Sequence, residues 1–146
     1  MKINRPTLII DEVKARKNIA FMAGKAKKSN LLFRPHFKTH QSATVARWFR
    51  EMGVNHIAVS SLAMAYYFYQ HGWDDIHIAF PYNLLEHQEL YELAKRIKLT
   101  VSIESQQALT HLKFHMKTPI HYMIETDVGY GRTGIDARNW ESILSL

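Results

Sequence analysis

The chain has 146 residues, enough for one domain with its own core, and 47% of them are hydrophobic, an ordinary share for a globular protein. It has no cysteine, which excludes a disulfide framework, a thiolate metal site and a thiol nucleophile. The formal charge of +6 is spread along the chain, no apolar run approaches membrane-spanning length and the opening Met-Lys-Ile-Asn-Arg-Pro has no apolar h-region, so we expect a cytoplasmic protein with no nucleic-acid or membrane partner.

Residues 7–10, Thr-Leu-Ile-Ile, read as a short strand. Asp11 can then cap a helix over 12–28, whose final turn holds Lys25, Lys27 and Lys28, cations that complement the helix dipole. Strands are predicted over 32–38, 56–60, 76–80, 100–103 and 120–126. Helices are predicted between them over 42–52, 62–71, 83–97 and 106–114, with a last one starting near Asp136. Ser61, Asn83 and Ser105 fall where helices start, and Gly53 and Gly72 where they stop. The aromatic run Tyr66, Tyr67, Phe68, Tyr69 is expected to pack on the sheet with some hydroxyls exposed, and Asp74-Asp75 reads as a turn.

Strand alternating with helix points to an α/β fold of parallel βα units. The strand faces narrow this further. Ile57 and Val59 oppose His56, Ala58 and Ser60; Ile76, Ile78 and Phe80 oppose His77 and Ala79; Val101 and Ile103 oppose Thr100, Ser102 and Glu104. One face suits packing against helices, whereas the other is small or polar on strand after strand. A doubly wound sheet has helices on both faces, so this pattern fits a (β/α)8 TIM-type barrel with a site inside it better. No glycine-rich dinucleotide fingerprint or Walker-type loop is present. Such a barrel takes about 250 residues, so we expect this chain to supply roughly the first five βα units, as the N-terminal part of a longer protein. The final Trp140-Glu-Ser-Ile-Leu-Ser-Leu146 reads as an amphipathic helix broken off before its cap.

Two segments carry candidate chemistry. In Leu31-Leu-Phe-Arg-Pro-His-Phe-Lys-Thr-His40, alternation places Arg34, His36 and Lys38 on one strand face, with Lys38 at the C-terminal end. Neighbouring cations and partial burial would both favour a free amine there, which is what a Schiff base requires. The plainer reading is a solvated edge strand bearing basic residues. In Glu125-Thr-Asp-Val-Gly-Tyr-Gly-Arg-Thr-Gly-Ile135, Gly129, Gly131 and Gly134 permit a loop that approaches a ligand closely, and Arg132 can donate to an oxyanion or phenolate. Alone it could equally be a surface βα loop. Both segments follow predicted strands, and catalytic groups in βα barrels gather at C-terminal strand ends.

Arg34-Pro-His-Phe-Lys-Thr-His40 resembles the lysine motif of the D-threonine aldolase and D-serine dehydratase group. Asp127-Val-Gly-Tyr-Gly-Arg-Thr-Gly134 is similar to the Asp-x-Gly-x-x-Arg-x-Gly segment of alanine racemase-like proteins, and Thr7-Leu-Ile-Ile-Asp11 looks like the start of the same family. These are the fold-type III pyridoxal-phosphate enzymes, a βα barrel followed by a β domain. The resemblance covers the whole chain but only the N-terminal portion of the family's length. It implies that Lys38 forms the Schiff base with pyridoxal 5'-phosphate, that Arg132 contacts the phenolic oxygen, and that His36 or His40 lies near the ring. It implies lyase chemistry on D-amino or hydroxy-amino acids, aldolase or dehydratase before racemase, in a homodimer. Gln41 departs from the pattern, where a further basic residue is expected. The family's phosphate-binding strands, second catalytic group and divalent-metal ligands lie in a later part of the sequence.

No metal site is expected within these residues. His36 and His40 are four apart, which on a strand separates them by ~13 Å, and no His-Glu-x-x-His appears among the nine histidines. Two alternatives to a lyase stay open: a non-catalytic pyridoxal-phosphate carrier of the same fold, and an inactive fragment or interaction module.

Overall fold

A computed structural model describes residues 3–146. Its centre is a parallel sheet in the order β1-β2-β3-β4, formed by Ile57–Val59, Asp75–Pro81, Lys98–Ile103 and His121–Ile124. Helices α1 (Glu12–Lys28) and α2 (Ala43–Glu51) precede β1, and α3 (Leu62–Gln70), α4 (His87–Ala94) and α5 (Gln106–His115) alternate with the strands that follow. A short parallel pair, β5 (Thr126–Asp127) with β6 (Ile135–Asp136), precedes α6 (Trp140–Leu144).

Polar side chains start the helices where expected. Asp11, Ser42, Ser61, Ser105 and Asn139 each accept a backbone N–H of the first turn, satisfying donors that have no partner within the helix. Asn83 does the same for a single 3₁₀ turn, Leu84–Glu86, so the helix predicted over 83–97 is a capped turn followed by the shorter α4.

Register sorts the sheet into rows. Ile57, Ile76 and Leu99 align, as do Val59, Ile78 and Val101, and all six are buried. Phe68 of α3, Leu90 and Leu93 of α4, and Leu109 and Leu112 of α5 close over this face to form the main core. The intervening row runs His36, Ala58, His77, Thr100, His121 across five neighbouring backbones. The expected division into an apolar and a small or polar face therefore holds. At β4, Tyr122, Met123 and Ile124 are exposed at the edge of the sheet.

Four expectations need correction. Residues 7–10 form no strand; they run extended with Leu8, Ile9 and Ile10 exposed, and no described strand pairs with them. The predicted strand over 32–38 shrinks to one bridge between His36 and Ala58, with Ala58 N–H donating to Pro35 O at 2.9 Å. Pro35 has no N–H to extend the ladder, and the His36 ring accepts the Lys38 N–H at 3.2 Å, which turns the chain into a 3₁₀ turn over Phe37–Thr39. Asp75 is not in a turn: it opens β2 and is buried. Near Asp136 the backbone is still in β6, and the last helix begins at Trp140.

Candidate active site

The 3₁₀ turn places Lys38. Phe37, fully buried, lies 5.0–5.1 Å from the rings of Phe49, Phe68 and Trp73 and holds the turn against the core. The next side chain, Lys38, is therefore directed outward and is exposed. The partial burial expected of it is not found, because the turn lifts the lysine off the sheet. Gln41 closes the segment with a backbone φ of +46°, unusual for a side chain of its kind, and its Nε2 donates to Lys38 O at 3.4 Å.

The three basic groups expected on one face separate. Arg34 points away from the lysine towards the start of the sheet, where its Nη2 pairs with Asp75 Oδ1 at 2.7 Å and its Nη1 donates to Ile57 O at 3.1 Å. His36 stays under the turn through its bond to the Lys38 backbone. Desolvation, followed by the charge of Lys38, lowers the His36 pKa, which favours a neutral ring. His40 goes into the core: its ring lies 4.6 Å from Phe37 and 5.8 Å from Phe49, and its Nδ1 accepts the Ser42 N–H at 3.1 Å. Its Nε2 is buried with no hydrogen-bond partner, and burial keeps this ring neutral too. Of the two histidines flanking the lysine, only His36 lies in the row of side chains on the polar sheet face.

That row contains a residue not singled out from the sequence. His77 is half-buried, and its Nε2 lies 3.2 Å from Ser102 Oγ. Desolvation and then the charges of Arg34 and His36 lower its pKa, against an opposing pull from Glu125. The signal was present, since His77 stands opposite Ile76 and Ile78 on an otherwise apolar strand.

The second segment is a tightly built loop beyond β4. The Asp127 carboxylate accepts the N–H groups of Gly129, Tyr130 and Gly131 at 2.7–2.9 Å. These bonds, that from Gly129 first, lower its pKa. Gly134 N–H donates to Glu104 Oε2 at 2.8 Å, and Thr133 Oγ1 donates to Glu125 Oε1. Glu104, Glu125 and Asp127 thus shape the loop, and none of them was a candidate from sequence. Arg132 sits exposed at the loop's tip with its guanidinium 5.3 Å from the Tyr130 ring centre. The parallel strands put this loop and the Lys38 turn at the same, C-terminal, end of the sheet.

These residues fit a pyridoxal-phosphate site in kind: an accessible primary amine, an accessible guanidinium, and a polar sheet face carrying neutral imidazoles. Among the described residues no group of three or more His, Cys, Asp or Glu side chains could hold a metal ion, and no helix is long and apolar enough to cross a membrane.

Comparison with known proteins agrees with this layout. Residues 10–146 match the family described as alanine racemase, N-terminal domain, and the chain belongs to that family. The resemblance to fold-type III pyridoxal-phosphate enzymes read from its motifs therefore stands. The chain is 29% identical to the D-threo-3-hydroxyaspartate dehydratase of Delftia sp. (strain HT23), over 100% of its own length and 40% of the relative's. It is 27% identical to a D-threonine aldolase of Arthrobacter sp, over 92% of its length and 36% of the relative's. A crystal structure of D-threonine aldolase from Filomicrobium marinum superposes with a TM-score of 0.85 over 91% of this chain and 37% of that one; at 23% identity it shows the shared fold. The chain spans about two fifths of the length of the curated relatives it matches.

Proposed function

We propose that this chain is the lysine-bearing part of a pyridoxal-phosphate-dependent lyase acting on D-β-hydroxy-amino acids, an aldolase or dehydratase. The observation that carries the reading is the shared position of the Lys38 turn and the Arg132 loop at the C-terminal end of one parallel sheet. The dehydratase and aldolase names of its relatives support it. We further propose that residues 1–146 are the N-terminal part of a (β/α)8 barrel, whose remaining strands would cover the exposed edge of β4, and that the complete protein is a homodimer.

Pyridoxal phosphate, when bound, supplies an electron sink for a carbanion at the substrate α carbon. Lys38 Nζ would hold it covalently and, once released, would move a proton at the substrate. Arg132 would donate to the phenolic oxygen from a loop pre-shaped by Asp127. His36, neutral and fixed by the Lys38 N–H, and His77, oriented by Ser102, would line the floor of the site.

The test is a pyridoxal-phosphate titration followed by absorbance, on the longest chain the gene encodes. Wild type should give the spectrum of a lysine-linked cofactor. Lys38→Ala should lose it, and Arg132→Ala should weaken binding about tenfold, the loss of roughly one charge-assisted hydrogen bond. D-Threonine, D-serine and D-threo-3-hydroxyaspartate, supplied in turn, would identify the substrate. An unchanged spectrum in Lys38→Ala would remove the basis of the assignment.

A further inference from the structure

Beyond Ile78, strand β2 leaves its register. Ile78 stands beside Val101 and Pro81 beside Ser102, so β2 advances three residues where β3 advances one, and Ala79 and Phe80 have no partner on β3. Alternation would set Phe80 in the helix-facing row with Ile76 and Ile78. The bulge turns it outward instead, and Phe80 is 48% exposed. A hollow of about 270 Å³ opens at this point on the helix side of the sheet. Its lining includes the buried side chains of Leu62, Ile78, Leu90 and Val101, together with Phe80 and Glu86.

Protein interiors are close-packed, and a space of this size beside four buried aliphatic side chains departs from that rule. At ~30 Å³ each it has room for roughly nine waters, but a held water needs two to four polar partners. Leu62, Ile78, Leu90 and Val101 offer only carbon, so an apolar body fills the hollow better than water does. The walls come from β2, β3, α3 and α4, neighbouring elements that are all present, so strands added beyond the edge of β4 do not enter it. It also lies across the sheet from the row of His36 and His77, and it does not rest on the role given to Lys38.

We propose that this hollow binds a small primary amine with a compact apolar body. The body lies against Leu62, Ile78, Leu90 and Val101, and the ammonium group pairs with Glu86. Pockets that hold small ligands are of this kind, apolar walls with a few placed polar groups. Glu86 is the only charged residue of the lining, is half-buried, and makes no ion pair among the described residues. No cation lines the hollow to receive a carboxylate, which separates this ligand from an amino acid. At ~30 Å³ for each small group the space suits about nine non-hydrogen atoms, the size of 2-phenylethylamine.

The test is titration of 2-phenylethylamine into the longest chain the gene encodes, with no cofactor added, followed by methyl NMR. Saturable shifts are expected on the methyl groups of Leu62, Ile78, Leu90 and Val101, with a Kd on the order of 1 mM or tighter. Glu86→Gln should weaken binding about fivefold, while Glu89→Gln, an exposed acid of α4 outside the hollow, and Lys38→Ala should leave it unchanged. Because a variant can lose its fold, the wild type is also titrated with 2-phenylethanol, which has the same body and no charge and should bind about fivefold more weakly. No saturable shift, shifts centred on other methyl groups, equal affinity for the amine and the alcohol, or loss of binding in Lys38→Ala would overturn the proposal.

Discussion

At Gly134 the backbone has φ +97°, and a Cβ there would lie 2.9 Å from both Asp127 N and Thr126 C. A side chain meets two obstacles at once, the left-handed backbone and main-chain atoms that cannot swing aside. Gly134→Ala should therefore destabilise the chain by about 1–3 kcal/mol, read as a lower urea midpoint. A midpoint equal to wild type would show that the loop does not need this close approach. The glycine was legible as a loop residue, but the carboxylate its N–H meets was not, because Glu104 is 30 residues away and its contact depends on how β3 and β4 align. Lys38 gives the opposite lesson. Its position near a strand end was legible, yet alternation misplaced the side chain because the missing N–H of Pro35 and the acceptor on His36 were not weighed against the strand pattern.

Among the elements, Asp75 is the junction. Its carboxylate accepts from Arg34 at 2.7 Å and His56 at 2.9 Å and pairs with Lys98 at 3.2 Å, so one side chain ties the segment leading to Lys38 to the N-terminal ends of β1, β2 and β3. Burial pushes its pKa up, but the bonds from Arg34, His56 and Lys98 outweigh this and the net shift is downward. The Arg34 and Asp75 side chains are 15% and 10% exposed, so removing one charge leaves the other poorly solvated. Asp75→Asn should cost about 3 kcal/mol by equilibrium denaturation. A cost below about 1 kcal/mol, typical of a surface pair, would show that the junction is not structural. The helix caps and the two-faced strands were legible because each depends on local side-chain chemistry. The junction was not, since it joins residues 41 positions apart. The strand expected over 7–10 failed for a related reason: its apolar composition names a partner-seeking segment, while pairing depends on an edge elsewhere.

At the scale of the whole molecule, partly buried histidines set the pH response. Burial lowers the pKa of His36, His40 and His77 below the ordinary 6.5, so the folded chain binds fewer protons than the unfolded chain once the pH drops into that range. Their contribution to stability is complete above about pH 6.5 and is lost as pH falls through it, by at most about 1.4 kcal/mol per pH unit for each group. Asp75 acts in a lower window, below its ordinary 3.8. Urea midpoints should therefore fall between pH 7.5 and pH 5. A midpoint that rises on acidification would contradict the burial assigned to these rings.

The parallel α/β architecture, the two segments at one end of the sheet and the face that carries His77 were legible from sequence, whereas the alignment of His77 with His36 and Thr100 emerged only from strand register. The reading of the molecule as a pyridoxal-phosphate lyase rests on Lys38 above any other residue. The most direct measurement is borohydride reduction in the presence of pyridoxal phosphate, followed by peptide mapping, on the longest chain the gene encodes. Stoichiometric label on Lys38 is the predicted result. No label, or label scattered over surface lysines such as Lys25, Lys27 and Lys28, would contradict it.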